Sequence, residues 1–417
     1  MNWSAKQYRW AALAIIVLAV VIRAAYFLSY HPPLVVHEGD APAYDIPAWN
    51  IVAGNGYVYE LGVPFASREP GYALYWLVPI YFVFGHSVMA VSILQLTLDV
   101  VMLGLVMLFL KRHNTAAVAV LGGLIYAIYL PFTFQNGEIL TEPIYQFGLL
   151  CLVWLMTYHF TKPHWYTSGL IGVVIGAIAL VRWGAVLMPP FVMLAYWLTY
   201  HQWRKVLLHG GLLIGGVLIF TMPWIVRNYL VFDQFVFGRI GGGEIYWTGS
   251  YLPYDGEWHA PTDVSRAISA DLPLIESDKA FTRAALDNIR QYPLQVTWIW
   301  LKKPVKIYIF PEALNYLNRT GIRVLQLRDP TMLLLLAYAI SLHWLLCGVA
   351  VLAFWWRSFS PAVLWACGVV LVFSLLLYLP LNPVPRYNVP VMPLIIILSA
   401  PILYHILQYV YRRGAKI

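Results

Sequence analysis

Long apolar runs alternate with short polar segments along most of this 417-residue chain. A helix of about 20 apolar residues crosses the hydrocarbon core of a bilayer, so runs of this length predict membrane-spanning helices. The fifth and sixth runs are shorter and are divided by Arg182 and Trp183. The pattern predicts ten spans, near residues 10–30, 87–110, 116–134, 142–160, 166–181, 184–200, 206–226, 331–356, 361–380 and 388–411.

Two polar segments, residues 31–85 and 227–330, are too long to be simple connections between spans. Residues 291–310 of the second segment mix tryptophans with Lys302, Lys303 and Lys306, which predicts a helix in the headgroup layer with its rings toward lipid and its lysines toward water. Residues 72–84 have a similar composition and are too short to span upright. We therefore expect an all-α polytopic protein in which residues 1–417 form one integral membrane domain, with interfacial helices in a first outer loop (31–85) and a large outer loop (227–330).

The composition supports this interpretation. Apolar residues make up 61% of the chain and charged residues 11%, whereas soluble domains average about 25% charged residues. The 18 Trp, 29 Tyr and 19 Phe suit a lipid–water interface. Soluble enzymes, disordered chains, collagens and disulfide scaffolds are excluded. The first apolar run is too long for a signal peptide and is followed by Pro32 and Pro33, which predicts an uncleaved span.

The charges predict the orientation. With the N-terminus inside, the short inner loops hold basic residues and no acid, as the positive-inside rule requires, and all acids except Asp99 lie on the outer side. The net charge of +8 therefore indicates topology and not binding of nucleic acid. Asp99 lies within a span and has no evident charged partner. Two roles are open for it, a proton-relay group and a polar tether within the bundle. The inner basic residues are Lys6, Arg9, Lys111, Arg112, Lys162, Arg204, Lys205, Arg357, Arg412, Arg413 and Lys416.

Two acids at predicted helix starts are candidates for catalysis. Asp40 follows the first span and precedes Pro42, a residue suited to the first turn of a helix. Partial burial at the membrane surface would raise the pKa of this carboxyl and make it a general base. Glu142 opens the fourth span. For both acids the alternative is a structural role in which the carboxylate caps or faces the positive end of a helix.

Three arginines near one side of the membrane are candidates for binding phosphate. Arg182, Arg227 and Arg386 lie at the edges of predicted spans, where an arginine is costly unless it is paired or faces water. Each one alone could be an interfacial arginine that reaches toward lipid headgroups. Together, they favour bidentate binding of an anionic phosphate.

Other polar motifs carry weaker signals. The Gly241–Gly243 run lacks the lysine and the strand–helix setting of a phosphate-binding loop, so it predicts a tight turn near a substrate. His31, His37 and His259 are scattered, which makes a zinc site a weak hypothesis.

Taken in order, several short motifs resemble one family. They are Gly39-Asp40 with Tyr44, Ala48 and Gly54-Asn55-Gly56-Tyr57; Arg68-Glu69-Pro70-Gly71-Tyr72; Thr141-Glu142-Pro143; Leu180-Val181-Arg182; Pro223-Trp224 with Arg227-Asn228-Tyr229; and Arg386-Tyr387 before Pro390. This ordered set resembles the bacterial protein O-mannosyltransferases and the lipid A aminoarabinose transferases, which share the GT-C fold.

The resemblance implies a glycosyltransferase of the bacterial or archaeal cytoplasmic membrane. It implies a polyprenyl-phosphate sugar as donor and a hydroxyl of a glycan, a lipid or a protein as acceptor, with transfer on the extracytoplasmic face. By position, Asp40 corresponds to the catalytic acid and Glu142 to a second acid of the cavity. Arg182, Arg227 and Arg386 correspond to donor-phosphate ligands, and Glu38, Tyr44, Arg68, Asn228 and Tyr387 to further substrate-binding residues. Many family members have two adjacent acids in the first loop, whereas Gly39 separates Glu38 from Asp40 here.

The mechanism expected from this set is a single inverting displacement with Asp40 as the base and the arginines stabilising the departing phosphate. A polyprenyl phosphate is a fair leaving group, so no cofactor is required, and no residue cluster indicates a divalent metal. Three alternatives remain: a transporter or flippase of lipid-linked sugars, a non-catalytic assembly subunit, and a ligase or polymerase that moves whole oligosaccharides. A transporter commonly shows inverted repeats, and the sequence shows none.

Overall fold

The computed structural model describes residues 3–30, 39–135, 137–257, 262–309, 330–356 and 358–414. Within these ranges the chain forms helices and connections, with a single isolated β-bridge between Val58 and Pro64. The helices are α1 (Ala5–Tyr30), α2 (Pro42–Val52), α3 (Val78–Phe84), α4 (Val88–His113), α5 (Ala116–Ile128), α6 (Leu130–Gln135), α7 (Glu142–Thr161), α8 (Trp165–Ala179), α9 (Pro189–Tyr200), α10 (Trp203–Phe232), α11 (Gly242–Ser250), α12 (Asp263–Ser269), α13 (Leu274–Gln291), α14 (Pro293–Ile309), α15 (Pro330–Trp356), α16 (Pro361–Leu377) and α17 (Met392–Gly414).

The fold confirms an all-α polytopic membrane protein. Each of the ten predicted spans contains a helix, and six helices in the described part of the chain are long and apolar enough to cross a bilayer. The third predicted span, 116–134, is broken by an extended Tyr129 between α5 and α6. The sixth begins later than predicted, because a 3₁₀ turn (Trp183–Leu187) precedes Pro189. The six long spans are α1, α4, α7, α10, α15 and the segment Pro385–Arg413 that contains α17.

Helices α8 and α10, which lead into the segments that form the site, pack backbone to backbone. A Cβ atom added at Gly172 of α8 would lie 2.0 Å from the Leu213 carbonyl oxygen of α10. A Cβ atom at Gly216 would lie 2.3 Å from the Gly169 oxygen. Small residues permit this close approach, which supplies van der Waals contact where lipid offers no hydrophobic driving force.

A buried ion pair joins helices α1, α4 and α5. Arg23 Nε of α1 lies 2.5 Å from Asp99 Oδ2 of α4, and both side chains are almost fully buried. Arg23 Nη1 donates a hydrogen bond to the Ala127 carbonyl of α5 (2.7 Å), and the Tyr126 hydroxyl donates to Asp99 Oδ1 (2.7 Å). The expectation that Asp99 lacks a charged partner is therefore wrong, because Arg23 comes from a helix 76 residues earlier in the chain.

Helix α14 corresponds to the interfacial helix predicted over residues 291–310, but one of its lysines points the other way. Lys302 and Lys306 lie at the surface and pair with Asp255, and Lys306 also pairs with Glu257. Lys303 is 1% exposed, and its Nζ donates to the Gly249 carbonyl at 2.6 Å. Burial, with a smaller contribution from the charge of Lys306, lowers the pKa of Lys303 to about 7.

This position of Lys303 is a correction to the prediction that all three lysines face water. The exposed apolar side chains of α14 recur at helical spacing on another face, as expected of a helix that lies on lipid. They are Leu294, Trp298, Leu301 and Val305.

We predict that Asp99→Leu destabilises the protein by about 3–5 kcal/mol, because Arg23 would be left as an uncompensated buried charge. The double variant Arg23→Met/Asp99→Leu should recover most of this loss, since it removes both charges. Thermal unfolding in detergent, followed by tryptophan fluorescence, measures both. A double variant no more stable than Asp99→Leu would contradict this account.

Candidate functional site

A cavity of about 560 Å³ opens among segments that are distant in sequence. Its lining comes from the predicted first outer loop, the start of α7, the turn after α8, the chain from 235 to 246, α13 and the connection between α16 and α17. The charged residues of the lining are Asp40, Arg68, Glu69, Glu142, Arg182, Arg239, Asp278, Lys279 and Arg386.

Asp40 is held between two arginines. Arg68 Nη2 donates to its Oδ1 at 2.7 Å, and Arg386 Nη2 donates to its Oδ2 at 2.6 Å. Burial raises the pKa of the Asp40 carboxyl, but the charges and hydrogen bonds of Arg386 and Arg68 together outweigh burial and hold this pKa well below its usual range. The expectation of a raised pKa is therefore wrong, because the sequence does not show that two cations share this carboxylate.

Glu142 continues the same network. Arg182 Nη2 lies 2.6 Å from Glu142 Oε1, and Arg386 Nε lies 3.7 Å from the same oxygen. Arg182 also donates to the Thr141 hydroxyl (3.1 Å) and to the Tyr378 hydroxyl (3.2 Å). The result is a chain of alternating charges, which we call the charge chain: Arg68, Asp40, Arg386, Glu142 and Arg182.

The local sequence explains why the carboxylates of Asp40 and Glu142 point to arginines and do not cap helices. Pro42 starts α2 as predicted, but Ala41 and not Asp40 is the N-cap residue, and no side chain caps this helix. Thr141 is the N-cap residue of α7, also without a side-chain cap, and Glu142 follows in the first turn. Neither acid is therefore a side-chain cap, although Glu142 lies in the first turn of α7 as the structural alternative predicts, and the oxygens of both acids face arginines. Arg386 lies in a 3₁₀ turn, Pro385–Tyr387, just before α17.

Aromatic rings enclose the guanidinium groups. The rings of Tyr378 and Tyr387 stack with centroids 4.4 Å apart. The Arg182 guanidinium carbon lies 5.2 Å from the Tyr145 ring centre and 5.7 Å from that of Tyr387. Such cation–π contacts stabilise a buried arginine without consuming its donors. The rings therefore restrict the position of Arg182 while its donors engage Glu142, Thr141 and Tyr378.

Four charged residues of the cavity were not among the predicted site residues: Glu69, Arg239, Asp278 and Lys279. Among the described residues, the one hydrogen bond of Arg239 goes to the Gly241 carbonyl, at 3.5 Å, and its Nε has no hydrogen-bond partner. Glu69 accepts a hydrogen bond from the Trp183 amide at 3.1 Å. Neither Arg239 nor Glu69 forms an ion pair with a residue that the structure describes. The signals were present, since Arg239 directly precedes the glycine run and Glu69 lies in the motif that contains Arg68.

The glycine run forms the tight turn that the sequence predicts. Gly241 has a φ of +95° and is the N-cap residue of α11. The amides of Gly241 and Gly243 donate to Asp278 Oδ1 of α13, at 2.9 and 2.7 Å. Because a protein carboxylate already occupies these donors, the turn is not arranged as a phosphate-binding loop. It fixes the backbone beside Arg239.

Arg227 and Asn228 lie outside the cavity lining. Arg227 Nη1 donates to the Phe65 carbonyl (3.0 Å) and Nη2 to the Tyr57 carbonyl (3.3 Å). Asn228 is fully buried and donates to the Val236 carbonyl at 3.1 Å. These contacts tie the end of α10 to its neighbours, and the substrate-binding roles of both residues stay predictions that this geometry does not favour.

The other predicted site residues divide in two groups. Tyr44, Arg68, Arg182, Tyr387 and both acids of the charge chain line the cavity with Arg386. Glu38, His31, His37 and His259 lie outside the described residues. In the part of the chain that the structure describes, no three His, Cys, Asp or Glu side chains form a group that could hold a metal ion.

No protein-family model and no curated protein matches the chain. Among solved structures, it is similar to ArnT from Cupriavidus metallidurans bound to undecaprenyl phosphate, with a TM-score of 0.51 and 14% identity over 92% of this chain. The fold is GT-C-like. The chain spans 59% of that ArnT chain. The apo structure of the same ArnT has a TM-score of 0.43 and 16% identity, with 95% of this chain and 77% of the other covered. The similarity to the ArnT structure with bound undecaprenyl phosphate confirms the GT-C-like fold that the sequence motifs predicted.

We predict that Gly71→Ala loosens the site. The Gly71 amide donates to the Leu180 carbonyl at 2.7 Å, and an added Cβ would lie 2.6 Å from that carbonyl group, between the Arg68 and Arg182 segments. The overpacking should cost about 1–3 kcal/mol of stability. Gly104→Ala is the matched control, since its Cβ meets nothing within 4 Å. Equal melting temperatures for the two variants would show that this contact is unimportant.

Proposed function

We propose that this protein is a membrane glycosyltransferase that moves a sugar from a polyprenyl-phosphate donor to an acceptor hydroxyl on the extracytoplasmic face. The observation that carries the proposal is a cavity lined both by a carboxylate held by arginines and by a cation, Arg239, that pairs with no carboxylate in the described part of the chain. The fold supports it, because the ArnT with that fold holds undecaprenyl phosphate.

Arg239 is the best candidate to anchor the donor phosphate, with Arg68, Arg182 and Arg386 close by in the same lining. A guanidinium without a partner can bind a phosphodiester at once, whereas a paired arginine must first leave its carboxylate. Apolar side chains of the same cavity suit a prenyl chain. Phe235 and Phe237, next to Arg239 in sequence, are 68% and 62% exposed.

The proposed reaction is a single inverting displacement. Asp40 accepts the proton of the acceptor hydroxyl, and the hydroxyl oxygen forms a bond to the anomeric carbon. The bond from that carbon to the phosphate oxygen breaks on the opposite face, and polyprenyl phosphate departs with the electron pair. The arginines stabilise the charge that develops on the departing phosphate. In the free protein both oxygens of Asp40 are occupied, so the base becomes available only after an arginine has moved.

The experiment that tests this proposal uses the purified protein reconstituted in proteoliposomes. A panel of radiolabelled undecaprenyl-phosphate sugars is offered with a cell-envelope extract as acceptor, and release of label from the carrier is followed. Transfer of label to an acceptor supports the transferase. Label that crosses a proteoliposome membrane intact, without cleavage, identifies a transporter instead and contradicts the proposal.

Asp40→Asn should lower turnover by roughly 10²–10⁴, the usual contribution of a general base. Asp287→Asn is the matched control, because Asp287 is 58% exposed and pairs only with Arg290. Initial rates of label release at saturating donor measure the effect. Full turnover in a folded Asp40→Asn protein would remove Asp40 from catalysis.

Arg239→Gln should weaken binding of undecaprenyl phosphate by about 10- to 100-fold, the loss expected for one or two charged hydrogen bonds. Arg227→Gln should leave this affinity unchanged although it lowers stability, since Arg227 holds backbone carbonyls. Binding is measured by intrinsic tryptophan fluorescence in nanodiscs. The opposite result, with Arg227 required and Arg239 dispensable, would support the assignment made from sequence alone.

A further inference from the structure

Arg386 is within reach of two carboxylates but is hydrogen-bonded to only one. Its Nη2 donates to Asp40 Oδ2 at 2.6 Å, while its Nε lies 3.7 Å from Glu142 Oε1. Arg386 Nε is buried and has no hydrogen-bond partner, whereas Glu142 Oε1, also buried, is held by its ion pair with Arg182 Nη2 at 2.6 Å. A carboxylate oxygen has two lone pairs and can accept from a second donor. A buried donor without a partner is costly, and a shift of about 1 Å would bring Arg386 Nε to the usual length of a charge-assisted hydrogen bond with this oxygen.

The other two arginines of the charge chain do not lie between two carboxylates in this way. Arg68 pairs with Asp40 and with no other carboxylate in the described structure. Arg182 is fixed by its ion pair with Glu142 and by hydrogen bonds to Thr141 and Tyr378. Arg386 is therefore the member of the chain that can leave Asp40 and still remain paired.

We propose that Arg386 is a two-position switch and that Glu142 is the positioning residue that receives it. When a donor phosphate engages Arg239 and Arg68, Arg386 moves from Asp40 Oδ2 to Glu142 Oε1, and Oδ2 becomes free to accept the proton of the acceptor hydroxyl. This inference rests on the proposed function and adds that the base is released by the donor.

The consequence for proton transfer follows from charge. With two arginines bound, Asp40 is a very weak base; with Arg386 on Glu142, fewer cations contact it and its proton affinity rises. The efficiency of Asp40 as a general base rises with its proton affinity. The ionisable groups that face Asp40 are Arg68, Arg386 and Tyr44, and those that face Glu142 are Arg182, Arg386, Tyr72 and Tyr378.

The direct test is an experimental structure of the full chain with undecaprenyl phosphate bound. The expected result is a hydrogen bond between Arg386 Nε and Glu142 Oε1 and an Asp40 Oδ2 without an arginine. Bound phosphate with Arg386 still on Asp40 would overturn this inference alone. A complex that cannot be formed at any concentration of undecaprenyl phosphate would overturn the proposed function and this inference together.

A kinetic test uses three variants with the donor that shows turnover. Glu142→Gln should lower the rate roughly tenfold or more and shift the acid limb of the pH–rate profile to lower pH, because Arg386 stays on Asp40. Arg386→Gln should shift the acid limb to higher pH, because only Arg68 remains.

The double variant Glu142→Gln/Arg386→Gln decides between the switch and a merely structural role. If Glu142 acts through Arg386, the double variant should match Arg386→Gln in its rate and pH profile. Additive losses in the double variant, or an acid limb that stays at the same pH in Glu142→Gln, would contradict the switch. Arg386→Gln keeps the test decisive if Glu142→Gln fails to fold, since an unmoved acid limb in that variant also contradicts it.

Discussion

The organisation of the site depends on one constraint: a charge inside a membrane protein must find an opposite charge or water. The charge chain satisfies this constraint with five side chains from four separate segments. Asp40 and Arg386 lie 346 residues apart and meet at 2.6 Å. None of these segments can be displaced without leaving a charge uncompensated. The ion pairs that offset the cost of burying these charges thus fix the relative positions of the first loop, α7, the turn after α8 and the start of the last helix.

The balance of these charges explains how an anion site can exist beside carboxylates. The charge chain has three arginines against two carboxylates, and Glu69 lies in the same lining. This inner group is therefore close to neutral without a ligand. Arg239 adds a positive charge that no described carboxylate pairs, and the turn clamped by Asp278 holds its backbone in place. In the proposed function, attraction for a phosphate resides in a residue outside the charge chain, and the chain itself can stay intact until the ligand arrives.

Much of the fold and part of the site could be predicted from sequence, for identifiable reasons. Apolar periodicity is a local property, so all ten predicted spans contain a helix. The ion-pair partners of a charged side chain, in contrast, can lie far away in the sequence. The sequence showed that Asp40 lies near the membrane but not that Arg68 and Arg386 would both reach it. The predicted direction of its pKa shift was therefore wrong. Asp99 seemed unpaired for the same reason. Arg227 and Arg239 both follow the seventh span, and only three-dimensional packing shows that the first holds carbonyls while the second lines the cavity.

The proposed role of Asp40 as a base is compatible with its two arginine partners in the free protein. An unpaired carboxylate in this cavity would cost desolvation energy and could assist attack by water on a bound donor. Two arginines remove both problems as long as they stay in place. In the proposed switch, a donor phosphate supplies the negative charge that can replace a carboxylate at an arginine, so one set of ion pairs is exchanged for another. Since Glu142 already lies 3.7 Å from Arg386, this exchange requires a change of partner by one side chain and no rearrangement of helices.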